Sequence, residues 1–446
     1  MHKFFGVIIL IAAAVFISCG TVLAAENADD PAVELLTLKN CLDLAYVNNQ
    51  AVKLAAQNIA AAKAAVHEAE GTFWPLGTYE LGYQNADRGE VISYCYDLGE
   101  IRTPAQGFGL KLKLTQPLYT GGKLTANLEI AKLKLAAAQE DERKTKQELA
   151  CRIKESFYGV WLAEQSVKVA QDSYANLDRH VQQVRTLRKV GTGSTFDVLQ
   201  AEVQRERIKP LMIKAANQLA LAKLNLATLI GIAKDRRFNV DFAVEQLPIP
   251  EQNNLAIGAA LEEACQNRPE IRQMAQLAQI KKALLKIAEA GYKPDIAVSV
   301  NYKHEGEDLF NADKSEKTWN LTFGLSGVFF DRFGTKARVD QAKIGMESVK
   351  TQEAGLRDLI RLEIEQSYQG VSESLETIRA NRASIGLAKE ALRMTQIRFE
   401  AGLATTMDVS DAQTAFDQAL NGYYEGIYSY ITATARFDLV TGQDYK

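Results

Sequence analysis

The chain has 446 residues, enough for two or three ordinary domains or for one elongated unit. Its formal net charge of −3 excludes the basic footprint that nucleic-acid-binding proteins carry. Only 9 prolines occur, and long windows are rich in Ala, Leu, Gln, Glu and Lys, so the composition favours long helices.

The N-terminus has the pattern of a secretory signal peptide over residues 1–24. Lys3 precedes the apolar run Phe4–Phe16, and small residues follow at 22–25. This run is shorter than the about 20 residues that a membrane-spanning helix needs, so we expect cleavage and export. Lipidation of Cys19 is the alternative processing route. No later apolar run reaches spanning length, so any membrane insertion must use something other than a helix.

The sequence repeats itself, with one copy over residues 25–231 and a second over 255–446. The stretch VGTGSTFDVLQAE at 190–202 returns as AGLATTMDVSDAQ at 401–413, 211 positions later. Upstream the offset is 219, so the copies differ by a loop-sized deletion. A long repeat that occurs only twice indicates a tandem duplication rather than a solenoid. Residues 232–254 lose helical periodicity and are predicted to be the linker.

Each copy begins with a predicted helix, over about 38–70 and about 255–290. A proline and a strand-like segment follow, then a polar loop, at about 85–106 and 303–317, and a second strand-like segment. Apolar and polar residues alternate in all four segments, which predicts four strands of about ten residues in the chain. The polar sides of the second segments carry Lys111, Lys113, Asn320 and Thr322.

Very long helical runs come next in each copy. No proline occurs from Lys123 to Val190 or from Lys336 to Ala401, and at ~1.5 Å per residue each run spans roughly 100 Å. After the glycine-containing stretch a shorter helix is predicted up to Gly231 or Gly442, with Pro210 interrupting the first one. Helical patterns of this length indicate coiled-coil packing.

Four alternating strands of this length in an exported chain match tilted transmembrane β-strands. Four strands cannot close a barrel, and open edges in lipid leave unpaired backbone groups at several kcal/mol each. Three copies supply twelve strands, an even number within the range of outer-membrane barrels. We therefore predict a mainly α-helical chain with a membrane β-barrel portion that closes in a trimer. The alternative is an exported structural coiled-coil protein with a small soluble β-sheet.

The chain resembles the TolC-like outer membrane efflux proteins (outer membrane factors) over nearly its whole mature length. The resemblance rests on TQPLYTGGK at 115–123 and on the two turn motifs, each a glycine followed about six residues later by Asp-Val. It implies a homotrimer in outer membrane lipid, with long antiparallel helical hairpins forming a periplasmic α-barrel. It also implies a passive exit duct, without catalysis or cofactor, for tripartite efflux or type I secretion. An RND or ABC type inner-membrane pump delivers the substrates through a periplasmic adaptor.

The resemblance places both turn motifs at the periplasmic tip of the duct. Asp408 and Asp411 match the acidic pair of the family's entrance constriction. Asp197 and Phe399 match positions of the gate network, and Arg398 is a further candidate for it. The expected adaptor contacts are Gly191, Thr192, Gly193, Ser194, Gly402, Leu403 and Thr405.

The aspartates also have a purely structural interpretation. Thr405 or Thr406 can cap a helix, and an aspartate in the first turn is favoured by ~0.3–1 kcal/mol. This account covers Asp408 better than Asp411, which lies deeper in the predicted helix. Residues three apart share a helix face, so a trimer places six carboxylates around its axis, a ring that attracts cations. The scattered cysteines and histidines predict no metal site.

Overall fold

The computed structural model describes residues 34–85, 91–95, 99–102, 106–232, 238–242, 249–250, 255–306 and 315–444. The predicted signal peptide over 1–24 and Cys19 lie outside the described residues. Within the ranges just given, no helix combines the length and the apolar character needed to cross a membrane.

The elements of the first half are β1 (Glu34–Leu36), α1 (Leu38–Asn48), α2 (Gln50–Gly71), β2 (Leu76–Asn85), β3 (Val91–Cys95), β4 (Gly99–Arg102), β5 (Gln106–Thr120), α3 (Lys123–Lys189) and α4 (Thr195–Ile230). The second half contains β6 (Phe238–Val240), α5 (Ile257–Asn267), α6 (Pro269–Glu289), β7 (Asp295–Gly306), β8 (Ser315–Ser326), α7 (Gly334–Glu400) and α8 (Thr406–Thr441). Both halves therefore run in the order short helix pair, strands, long helix, shorter helix.

The long helices have equal lengths in the two halves. Helices α3 and α7 each have 67 residues, and α4 and α8 each have 36. The first predicted helix of each half is instead two helices, with a break at Asn49 or Arg268. Asn49 fixes its break because Oδ1 accepts from the Ala51 N–H at 2.8 Å and Nδ2 donates to the Leu229 carbonyl at 2.9 Å.

Helix α4 is continuous through Pro210, so the prediction that this residue interrupts the helix is wrong. An interior proline removes one backbone hydrogen bond and costs about 3 kcal/mol. Helix α4 packs along α3 over much of its length, and this packing outweighs the local cost. Tertiary contacts have overridden a local propensity.

Strands β2, β5, β7 and β8 form one antiparallel sheet in that order, which confirms the four predicted strands. The register aligns Tyr79 with Leu112, Leu112 with Tyr302, and Tyr302 with Trp319, so an apolar row crosses one face. The polar residues form rows on the other face, as in the row Thr78, Lys113, Asn301 and Asn320.

Two pairs of short strands lie where irregular chain was predicted. Strands β3 and β4 pair within the predicted polar loop 85–106. Strand β6 lies in the predicted linker 232–254 and pairs in parallel with β1, about 200 residues earlier in the chain. The linker is therefore tied back to the beginning of the described chain.

The helices form a wall that is four helices wide at two levels. Beside the sheet, α3 packs between α2 and α6, and α6 also contacts α7. Beyond this level α3 packs between α4 and α8, and α8 contacts α7. The 67-residue helices α3 and α7 thus run through both levels and connect the sheet to the two turns.

The apolar cores lie between these two levels, where the short helix pairs meet the long helices. One core joins α1, α2, α3 and α4 with β1 and β6 and also includes Ile378 of α7 and Ile427 and Ile431 of α8, and a second joins α5, α7 and α8. Equivalent positions build both cores at the 211-residue offset: Leu149, Ile153, Val160 and Leu226 in the first, and Ile360, Ile364, Val371 and Phe437 in the second.

Candidate functional site

The first turn joins α3 to α4 and is built around Gly191. Its φ of +83° lies in the left-handed region, which residues with a Cβ rarely adopt. The Gly193 N–H donates to the Leu187 carbonyl at 3.1 Å and closes the end of α3. Ser194 then caps α4, and its own N–H donates to the Asp197 carboxylate at 3.0 Å. Asp197 therefore serves the cap of its own helix.

The second turn, between α7 and α8, has the same construction. Gly402 has a φ of +73°, and the Leu403 N–H donates to the Arg398 carbonyl at 2.7 Å. Thr405 caps α8: its N–H and its hydroxyl donate to Asp408 Oδ2 at 2.7 and 2.8 Å. In return, the Asp408 N–H donates to Thr405 Oγ1 at 3.2 Å. The motifs at 190–202 and 401–413 are thus turns between two helices, and in each the helix that follows begins with a reciprocal N-terminal cap.

Asp408 and Asp411 share an exposed face of α8, but their environments differ. Hydrogen bonds from Thr405 lower the pKa of Asp408, and the charge of Arg398 lowers it further. Asp411, one turn along, is exposed, and none of the described residues hydrogen-bonds to its carboxylate. The structural interpretation therefore accounts for Asp408 and leaves Asp411 without a structural role. In the described part of the chain, no cluster of His, Cys, Asp and Glu is suited to hold a metal ion.

The three predicted gate-network residues do not meet within one chain. Phe399 packs edge-on against the His180 ring, with 4.7 Å between ring centroids. Arg398 donates to the Leu403 carbonyl at 3.4 Å, within its own turn. Asp197 is engaged in the first turn, and among the described residues of a single chain it contacts neither of the others.

Sequence reasoning missed His180, which is buried beneath the turns. Burial lowers its pKa, and no described group hydrogen-bonds to Nε2. Closer to the sheet, Asn176 donates to Gln413 at 3.2 Å, and Gln413 donates to Asp417 at 2.7 Å. Polar positions on the inward face of α3 were the available signal, but a long helix has many polar residues and periodicity alone does not rank them.

Charged contacts near the turns stay within one hairpin. Arg185 pairs with Glu202 at 2.5 Å, and Arg205 pairs with Asp178 at 2.8 Å, both between α3 and α4. Near the turns, the described hydrogen bonds between the two hairpins join two neutral side chains or one neutral and one charged side chain. For example, Gln183 donates to the Glu400 carboxylate at 3.4 Å. At this level the first hairpin is therefore ion-paired internally, whereas the ion pairs between the two hairpins, Arg436 with Glu155 and Lys154 with Asp438, lie closer to the sheet.

Apolar side chains surround the turns without cover in a single chain. Val190, Phe196 and Leu403 are 68%, 69% and 70% exposed. Several exposed apolar residues at one end of a molecule mark a surface for another protein.

Comparison with known proteins identifies the family. The family model described as "Outer membrane efflux protein" matches residues 41–232 and 260–443. The outer membrane efflux protein BepC of Brucella suis is 23% identical over 442 residues, which cover 96% of this chain and 90% of BepC. The outer membrane protein TolC of Vibrio cholerae is 21% identical over 74% of this chain and 76% of its own length.

The fold is also found among solved structures. The Campylobacter jejuni CmeC outer membrane channel superposes with a TM-score of 0.77 at 16% identity, over 91% of this chain and 85% of CmeC. At this identity the likeness shows the fold.

We expect Gly402→Val to destabilise the second turn by roughly 1–2 kcal/mol, because valine must adopt a left-handed conformation. Hydrogen exchange of the backbone amides around 398–409 should accelerate accordingly. Gly386→Ala is the matched control, since this helical glycine has open space around it and alanine favours a helix. Unchanged exchange in Gly402→Val would contradict the strained-turn geometry.

We expect the packing beneath the turns to weaken on acidification because of His180. Burial lowers its pKa in the folded state, so the opened state takes up a proton first as pH falls below about 6.5. Stability should fall from that pH down to the lower folded pKa and then level off. The measurement is exchange protection around His180 between about pH 7.5 and 5.

The controls use two histidine variants. His180→Gln should abolish the pH dependence, and the exposed His67 should tolerate the same change without affecting it. A pH dependence that persists in His180→Gln would contradict its assignment to the His180 imidazole.

Proposed function

The chain belongs to the outer membrane efflux protein family, and from this membership and its geometry we propose that three copies form a passive exit duct. The duct crosses the outer membrane and extends far into the periplasm. It serves a tripartite efflux or type I secretion system, in which an inner-membrane pump delivers substrates through a periplasmic adaptor. One observation carries the proposal: a four-stranded sheet with one apolar face, whose two edge strands pair with no further strand in the described part of the chain.

The sheet fits a third of a membrane barrel. Strands β2, β5, β7 and β8 have 10, 15, 12 and 12 residues, against the about 9–11 that cross a bilayer with tilt. Tyr79 and Trp319 on the apolar face are 81% and 74% exposed, as lipid-facing residues are. A soluble sheet with such a face would be unstable in water, which disfavours the exported coiled-coil alternative. In the trimer, β8 of one chain pairs with β2 of the next, and Lys111 and Lys113 line the lumen.

The helical wall continues the duct into the periplasm. Four helices side by side at each level give twelve in a trimer, matching twelve strands above them. The equivalent core positions support a tandem duplication with units at 25–231 and 255–446 and the linker at 232–254. A duplicated unit explains why the sheet has four strands and the wall has four helices at each level.

The turns form the entrance of the duct. In the trimer Asp408 and Asp411 place six carboxylates about the axis, and mutual repulsion makes such a ring attract cations. Asp411 supports this role, because no hydrogen bond or ion pair among the described residues involves its carboxylate. Near the turns the first hairpin is ion-paired internally and meets the second through weaker contacts, so the turn ends of the hairpins can separate to open the entrance. Phe399, Arg398 and Asp197 are proposed to adjust contacts between neighbouring hairpins.

The adaptor contacts the exposed residues of the turns. The glycines shape both turns, and the uncovered side chains of Val190, Phe196 and Leu403 supply apolar area for the contact. The pump, of the RND or ABC type, supplies the energy. The duct itself catalyses nothing and holds no cofactor.

We expect Asp408→Asn combined with Asp411→Asn to weaken channel block by multivalent cations. The expected loss is roughly tenfold in affinity, equivalent to about 1.4 kcal/mol of attraction. Single-channel recording in planar bilayers measures the block. Glu390→Gln is the control, since this exposed carboxylate of α7 pairs with Arg393 of the same helix and belongs neither to the proposed ring nor to the gate network. An unchanged affinity of the blocking cations would contradict the acidic ring. The absence of any channel would contradict the duct itself.

A further inference from the structure

The segment between β8 and α7, residues 327–333 (GVFFDRF), exposes an unusual concentration of apolar side chains. Phe329 is fully exposed, and Val328, Phe330 and Phe333 are each about two-thirds exposed or more. Phe330 and Phe333 contact each other edge-on, with 6.0 Å between ring centroids. The segment therefore presents a cluster of phenylalanines to its surroundings.

The corresponding segment of the first half is built differently. There, β5 stays in the sheet as far as Thr120, which pairs with Asp295 of β7. The two residues that follow are Gly121 and Gly122, with φ of +65° and +97°. Glycine adopts such angles without strain, and the exposed apolar side chains of this connection, Leu118 and Tyr119 at 59% and 43%, lie before its turn.

In the second half the same two positions, 211 residues later, are Arg332 and Phe333. They adopt φ of +55° and +63°, and they are the non-glycine residues with positive φ in the described chain. Left-handed conformations are unfavourable for residues with side chains, most of all for bulky ones. Strain of this kind persists where the side chains serve a function.

The segment is held in a defined conformation. The Gly334 N–H donates to the Asp331 carbonyl at 3.0 Å, and the Thr335 N–H donates to the Asp331 carboxylate. Arg338 lies 3.7 Å from the same carboxylate. Asp331 thus caps α7, its pKa is lowered by the bonds from Thr335, and the phenylalanines project from a fixed turn.

Two cations accompany the phenylalanines. Arg332 and Lys336 are both exposed, and no described carboxylate pairs with either. Aromatic rings with neighbouring basic residues are typical of the boundary between acyl chains and headgroups. The segment directly follows Leu325, the last residue of β8 on the apolar face of the sheet, so its apolar surface continues that face.

We propose that residues 327–336 form an interfacial foot that binds phospholipid in the periplasmic leaflet of the outer membrane. The phenylalanines enter the top of the acyl layer, and Arg332 and Lys336 contact the lipid phosphates. This proposal rests on the proposed membrane position of the sheet. Phospholipid fits better than a second copy of the chain, because it offers phosphate directly above apolar chains and so matches both components of the foot.

The test places a tryptophan in the foot of the full chain. Phe329→Trp is combined with Trp74→Phe, Trp161→Phe and Trp319→Phe, and Phe329 tolerates the change because its side chain is fully exposed. The protein is reconstituted into phosphatidylethanolamine and phosphatidylglycerol vesicles containing lipids brominated near the top or near the end of the acyl chains. We expect emission at shorter wavelength, strong loss of intensity with shallow bromines, and little quenching by acrylamide in water.

Two controls separate the foot from the barrel. A chain that keeps only Trp319, on the apolar face of β8, should be quenched by deep bromines if the sheet lies in the membrane. A chain with only Leu403→Trp, at the second turn, should respond to acrylamide alone. Loss of bromine quenching at Trp319 would contradict the membrane position, whereas its loss in the Phe329→Trp chain alone would overturn the foot.

The remaining outcomes also test the interfacial foot. Acrylamide quenching without bromine quenching at position 329 would place the segment in water. Protection from both quenchers would mean that protein, such as a neighbouring copy, covers it, and this too would overturn the foot. In the same background, Arg332→Gln with Lys336→Gln should reduce quenching by brominated phosphatidylglycerol, and unchanged quenching would remove the cations from lipid binding.

Discussion

A backbone hydrogen bond left unmade in lipid costs several kcal/mol, and the proposed assembly depends on this constraint. The sheet has strands β2 and β8 at its edges, and its apolar face is uncovered. In the proposed trimer, closure pairs both edges and turns the apolar faces to lipid and the lysine-bearing faces to the lumen. The proposed threefold axis also sets the arrangement of the helical wall and of the acidic residues at the turns.

The two halves of the chain share one architecture but differ at a few exposed positions. Both turns combine a left-handed glycine with a reciprocal cap, through Asp197 in one and Asp408 in the other. The second turn alone adds Asp411, whose carboxylate has no hydrogen bond or ion pair with the residues that the structure describes. At the opposite end, the glycine pair 121–122 of the first half is replaced by Arg332 and Phe333. The two halves share their scaffold, and we propose that the positions at which they differ carry added functions.

Sequence periodicity predicted the elements whose apolar pattern is regular over many consecutive residues. The four alternating strands and the two 67-residue helices follow from it, as do the turns at Gly191 and Gly402. The three-residue pair β1 and β6 was not predictable, because its pairing depends on residues about 200 positions apart. Pro210 was misjudged because helix packing outweighs local propensity, and His180 was missed because burial is a property of the packed hairpins.

The number of chains in the membrane-extracted protein tests the central claim most directly. We propose measuring it by native mass spectrometry after mild detergent extraction of the outer membrane fraction. Three chains in one particle are expected, since three four-stranded sheets close the proposed twelve-stranded barrel, in which every edge has a partner. A single chain, or protein released from the periplasm without detergent, would contradict the duct.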